Sequence, residues 1–176
     1  WLLMKAKPLI DAVNSIIEKM WHSDADKSNT FTILYPSPSS LYFNQKMAFE
    51  YANLSITSWI FDIILVCGRY EGIDQRFEQY FIDRYPSQFC KISLGKYVVY
   101  GGEAPSMIIM EAITRLLPWG THKPPLDESY YPHLGEDTIE NPHYTRPVDI
   151  YGYKIPEILL SGHHKHIQQR RDDMKE

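Results

Sequence analysis

Long apolar runs are missing from this sequence of 176 residues. No stretch approaches the roughly 20 residues that a helix needs to cross a bilayer, so no membrane partner is expected. The opening residues, WLLMKAKPLI, lack both the apolar segment and the small-residue cleavage site of a secretory signal. Cysteine is scarce. Cys67 and Cys90 are the only two; they form no CxxC pair and no disulfide framework, which points to the reduced cytoplasm. A surplus of positive charge is also absent. The formal net charge is −4, so any contact with nucleic acid has to come from a local basic patch rather than from the field of the whole molecule. Neither GxGxxG after a strand nor GxxxxGKS/T occurs, which removes the main support for Rossmann dinucleotide and P-loop readings. No metal site is expected. His163, His164 and His166 have no second ligand cluster and read as a solvated helix start.

What is present is ordinary for a soluble globular protein: 44% hydrophobic and 23% charged residues, with enough length to bury a core. Residues 7–20 carry Leu9, Ile10, Val13, Ile16 and Ile17 at helical spacing, with Pro8 tolerated in the first turn. FTILYP (31–36) is β-branched and aromatic, hence a strand, and Pro36 and Pro38 are expected to turn the chain. Residues 45–54 suggest a second helix. IFDIILVC (60–67) is apolar on both faces, as in a strand inside a parallel sheet covered by helices. Alternation of strands and helices gives an α/β class. EAPSMIIMEAITRLLPWG is a helix stopped by Pro118 and Gly120. The polar, unpatterned residues 120–147 form so long a connection that either a functional role or disorder is expected. EILLSG (157–162) reads as a last short strand or turn, and HHKHIQQRRDDMKE as the start of a charged helix.

Chemistry is expected where glycines gather. Five of the nine glycines lie between Cys67 and Pro105, in CGRYEGID, LGKY and YGGEAPS. Glycine lets backbone approach a ligand closely, and ligands of open α/β sheets sit beyond the carboxyl ends of strands. A nucleotide-like ligand held by backbone groups follows from this much. Cys67, at the end of an apolar strand, reads as a buried thiol rather than a nucleophile.

CGRYEGID and PHYTRP, in this order and together with MKAKPL, YPSPSSLYFNQKMA, LGKYVVYGGEAPSM, TRLLPWG and LLSGHH, resemble the bacterial tRNA (guanine-N1)-methyltransferases of the TrmD type. These belong to the SPOUT superfamily. The resemblance implies an α/β fold in which a parallel sheet carries helices on both faces and a deep trefoil knot forms the cofactor pocket. The domain would span residues 1–162. Residues 163–176 would begin a linker toward a C-terminal tRNA-binding domain outside this sequence, as a glycine-rich segment ahead of MKAKPL is also outside it. The implied reaction is methylation, by S-adenosylmethionine, of N1 of the guanine immediately 3′ of the anticodon, with magnesium dependence associated with the family and no dedicated cage for it evident. The implied cofactor contacts are Tyr35, Ser37, Pro38, Gly68, Tyr70, Gly72, Leu94, Gly95, Lys96, Tyr97, Val98, Val99, Gly101, Gly102 and Pro105. A valine at Gly102 is expected to intrude on that pocket.

For catalysis the resemblance points to Glu71, to Arg115 as the guanidinium that stabilises charge on O6, and to a carboxylate in the long polar loop as general base. The family reads Asp-Ser-Phe there, whereas this chain reads Asp127-Glu128-Ser129-Tyr130. Alignment on the serine and the aromatic selects Glu128, with Asp127 as the neighbouring alternative. Arg69, Ser129, His143, Arg146, Lys165 and Arg171, with Arg170, are the expected RNA contacts, and a homodimer is the expected assembly. Lys96, Tyr100, the SPSS turn and His163 depart from the family pattern, as in a divergent member. The competing readings are another SPOUT RNA methyltransferase or a catalytically silent RNA-binding module.

Overall fold

A computed structural model describes residues 2–21, 31–57, 62–118, 129–130 and 139–173. The chain divides into two compact units, Trp1–Lys123 and Pro124–Glu176.

The first unit is built on one central strand. In β1 (Phe31–Tyr42) the first six residues are all buried. It pairs in parallel with β2 (Asp62–Leu65) on one side and β3 (Phe89–Ser93) on the other. Alternation along β1 divides the core. Phe31, Ile33 and Tyr35 point to one face, where they meet Val13 and Ile17 of α1 (Ala6–Trp21) and Phe77 and Phe81 of α3 (Arg76–Arg84). Leu34 points to the other face and joins Ala48 and Ala52 of α2 (Gln45–Thr57) and Ile109 and Ile113 of α4 (Glu103–Thr114). The expected α/β class, parallel pairing and helices on both faces are therefore present.

Several elements differ from their sequence expectation. Pro36 and Pro38 do not end β1. The pairing with β3 shifts register between Pro36 and Leu41, so the strand passes the prolines as an irregularity where missing amides need no ladder partner. Ile16 is exposed, since Val13 and Ile17 form the inward stripe. Helix α3 and strand β3 have no counterpart among the sequence expectations; α3 is polar apart from its aromatics and the exposed Ile82. Phe77 and Phe81 are fully buried, with ring centroids 5.0 Å apart.

In the second unit, β4 (Asp149–Ile150) and β5 (Tyr153–Lys154) form an antiparallel hairpin. EILLSG, expected as a strand or turn, is instead the one-turn helix α5 (Glu157–Leu160), and α6 (His164–Asp173) follows it. Glu157 through Leu160 follow Pro156, whose fixed φ suits a helix entry, and the Leu159 amide bonds to the Pro156 carbonyl.

Candidate active site

The irregular middle of β1 and the loops that follow β2 and β3 converge on one cleft of about 210 Å³. Tyr35 to Pro38 come from β1, Gly68 to Gly72 follow β2, and Ile92 to Gly102 with Pro105 run from β3 into α4. Fourteen of the fifteen residues expected at the cofactor line this cleft; Lys96 does not. Glu71 and Arg69 also line it.

The loops are tied to one another by specific contacts. The Gly102 amide donates to the Gly68 carbonyl at 2.7 Å. A Cβ at Gly102 would lie 2.8 Å from both the Cys67 Cα and the Gly68 nitrogen. Gly102 is therefore glycine because two backbones touch there, and an added side chain would push the loops apart rather than enter the ligand space, contrary to the sequence expectation. Arg69 and Gly101 form an antiparallel bridge, and Arg69 Nε donates to Glu103 Oε1 at 2.6 Å. Glu103 is the first residue of α4, and its carboxyl lies below its ordinary range because its own backbone amide, and then Arg69, hydrogen-bond to it. Arg69, expected to meet RNA, thus has its Nε on the first residue of α4 while its side chain stays exposed at the cleft.

Ser93 is the pin between the outer loops. It is buried, and its Oγ lies 3.2 Å from the carbonyls of Pro38 and Gly95, either of which can accept its proton, while accepting from the Gly95 amide at 3.2 Å. On the floor, the Tyr35 ring stacks edge-on against Phe77 at 6.2 Å, and Lys91 Nζ lies 5.8 Å from its centroid. Lys91 is itself held by Glu78 at 2.8 Å. Burial, and secondarily the Glu78 charge, raises the Tyr35 hydroxyl above its ordinary pKa, so the ring remains a neutral wall.

The turn bearing Glu71 is held from behind by the N-terminal segment. Glu71 donates its amide to the Leu2 carbonyl at 3.0 Å, Met4 donates to Gly72 at 2.9 Å, and the Arg69 amide reaches Met4 Sδ at 3.0 Å. Within that turn Tyr70 has φ 61° and Gly72 φ 120°. A left-handed tyrosine is strained, and such strain gathers at functional sites. Ser93, Met4 and Glu103 were not foreseen. With β3 unrecognised in the sequence, nothing marked Ser93, and the other two act only through folded contacts.

The remaining expected residues lie elsewhere. Arg115 follows the last turn of α4, about 20 Å along the helix axis from Gly102 at 1.5 Å per residue. Asp127 and Glu128 fall outside the described residues. Ser129 Oγ accepts the Glu140 amide at 2.8 Å, and His143 Nε2 lies 3.6 Å from Glu140. Arg146 is exposed before the hairpin, and Lys165, Arg170 and Arg171 lie on α6. Among the described residues no group of three His, Cys, Asp or Glu side chains is arranged to hold a metal.

Comparison with known proteins decides the family. Residues 2–176 match the family described as tRNA (Guanine-1)-methyltransferase TrmD. This chain belongs to the TrmD family. A Listeria monocytogenes protein named tRNA (guanine-N(1)-)-methyltransferase is 35% identical over 173 residues, which is 97% of this chain and 62% of that protein. A Clostridium perfringens protein of the same name is 37% identical over 172 residues, with the same coverage of 97% and 62%. The chain thus spans about three-fifths of the length of these TrmD relatives.

Proposed function

We propose that this TrmD-family chain binds S-adenosylmethionine in the three-loop cleft and methylates N1 of the guanine immediately 3′ of the anticodon of tRNA. The observation that carries the reading is the convergence of Tyr35–Pro38, Gly68–Gly72 and Leu94–Gly102 on one cleft, in a chain whose whole length matches the family. The fit to the cofactor is chemical. Tyr35, Ile92, Leu94, Val99 and Pro105 offer flat apolar walls for an adenine, and the glycine loops bring backbone donors and acceptors to its edge. In the family's SPOUT fold these loops form the trefoil knot, which we take to be their arrangement here.

When bound, the cofactor supplies an electrophilic methyl group on a sulfonium. Tyr35–Pro38, Gly68–Gly72 and Leu94–Gly102 would hold it, and it would supply the methyl that guanine N1 gains and depart as a neutral thioether. The N1 proton passes to a carboxylate, which we assign to Glu128, with Asp127 next to it. Arg115 stabilises the negative charge that develops on O6. Glu71, on the cleft wall, orients the reacting edge. The described residues include no group of three His, Cys, Asp or Glu side chains that would hold magnesium.

The same geometry argues for a homodimer. Cleft and Arg115 stand at opposite ends of α4, so one chain does not bring them together. The outward face of α4 exposes Met107, Ile108 and Met110, an apolar strip suited to a second copy across a twofold axis. The cleft is smaller than the roughly 300–1,000 Å³ of most ligand sites, which leaves part of the ligand for the partner to cover. No described helix is long and apolar enough to cross a membrane; a tRNA substrate puts the protein in the cytoplasm.

The test is methyl transfer from radiolabelled S-adenosylmethionine to tRNA transcripts with guanine or another base after the anticodon. Label should enter only the guanine transcript, as 1-methylguanine. Methylation of a ribose hydroxyl, or equal labelling of both transcripts, would sink the assignment.

A further inference from the structure

The hairpin of the second unit carries two aromatic side chains that folding does not explain. Asp149 pairs with Lys154 and Ile150 with Tyr153, so Tyr151 and Gly152 are the two residues of the connecting loop. Both have positive φ, 53° and 89°, the geometry of a type I′ turn. The first loop position of such a turn favours asparagine, aspartate or glycine, because other side chains clash with their own backbone there. Tyrosine occupies it at a conformational cost. No packing offsets that cost, since Tyr151 is 97% exposed. Tyr153 is 85% exposed, on the same face of the ribbon as Ile150. The turn itself is secured without either ring, by the Gly152 amide bonding to Asp149 Oδ1 at 2.9 Å. A strained, wholly exposed aromatic at a tip points to a ligand rather than to folding.

We infer that Tyr151 and Tyr153 form a stacking platform for unpaired bases of the RNA substrate. This rests on the reading of the protein as a tRNA-modifying enzyme. The local charge fits that mode: Arg146 and Lys154 are exposed cations of the same segment, set against the carboxylates Glu140, Asp149 and Glu157. The segment carries two cations for phosphates without being a polycation, so stacking supplies more of the attraction than charge does. A tyrosine face takes any base, because every base has a π surface.

The experiment uses an anticodon stem-loop RNA with 2-aminopurine in its loop, whose fluorescence is quenched on stacking. Tyr151→Ala and Tyr153→Ala should each weaken binding by about 5- to 150-fold and reduce the quench. Tyr151→Phe should retain both, and calorimetric affinity for S-adenosylmethionine should stay at the parent value in all variants. Parent-like RNA affinity and quench in both alanine variants would overturn the inference. So would a shift from dimer to monomer in light scattering with the quench intact, which would assign the rings to a protein interface. Because the probe reads RNA contact directly, failure of methyl transfer to guanine would leave this result standing on its own.

Discussion

Placing alanine at Gly102 is the sharpest test of how the cleft is held. Its Cβ would stand 2.8 Å from the Cys67 Cα and the Gly68 nitrogen and 3.2 Å from the Cys67 carbonyl carbon, against an optimum of roughly 3.5–4.0 Å between carbon atoms. All three neighbours are backbone, so no rotamer change relieves the contact. The two loops have to separate, and the 2.7 Å bond from the Gly102 amide to Gly68 is stretched or lost. Overpacking of this kind costs about 1–3 kcal/mol, and a hydrogen bond about 1 kcal/mol more. At 2–4 °C per kcal/mol for a chain of this size, melting should fall by about 4–16 °C. Differential scanning calorimetry gives the melting temperature and titration calorimetry the cofactor affinity, which should fall along with it. Valine should be worse than alanine. A Gly102→Ala protein with the parent's melting temperature and cofactor affinity would refute the claim that backbone contact at this point sets the cleft.

Ser93→Ala removes a buried hydroxyl and strands the Pro38 and Gly95 groups it serves; about 1–3 kcal/mol of stability should be lost in denaturant titration, and cofactor affinity with it. Asp74 is held at a pKa of about 2 by side-chain and backbone hydrogen bonds from Arg76, below its ordinary 3.8. Its contribution is therefore complete above about pH 4 and disappears as pH falls toward 2. Asp74→Asn should flatten the acid limb of the stability profile in that window and lower the plateau above it, read by denaturant titration across pH. Glu128→Gln should lower turnover by roughly 10²–10⁴-fold with cofactor affinity nearly intact, measured by single-turnover methyl transfer; a severe Asp127→Asn alongside a mild Glu128→Gln would move the base by one position.

The sequence carried the layout where one physical signal dominated. The stripe of Leu9, Val13 and Ile17 marked α1, and the two-sided apolar run ending at Cys67 marked a strand in a parallel sheet. Helix α3 escaped because its nine residues, RFEQYFIDR, are polar around the aromatics that bury them, so hydropathy stays low. Strand β3, FCKIS, mixes a lysine into the run; that lysine is inside because Glu78 receives it. Cleft residues were legible as motifs, since glycines and prolines at strand ends are visible in one dimension. The contacts that hold them were not. Ser93 with Pro38, Arg69 with Glu103 and Met4 with Arg69 join residues 34 to 65 positions apart, and no local pattern encodes such pairs. Gly102 illustrates the difference: its place at the cleft was readable, but the backbone it presses against was not.

Helix α4 has a consequence for genetics as well as for chemistry. It separates Glu71 and the cleft from Arg115 by its own length, so in the proposed dimer each reaction centre draws the cleft from one chain and the arginine from the other. Two defective proteins should then repair each other. A Glu71→Ala chain paired with an Arg115→Ala chain concentrates both defects in one centre and leaves the other whole. Random mixing makes half the dimers mixed, with one sound centre of two, so about a quarter of parental activity should return from two inactive preparations. If both residues served the same chain's centre, every mixture would stay dead. A loss-of-function allele of one kind would accordingly be rescued by an allele of the other kind and not by a second copy of its own.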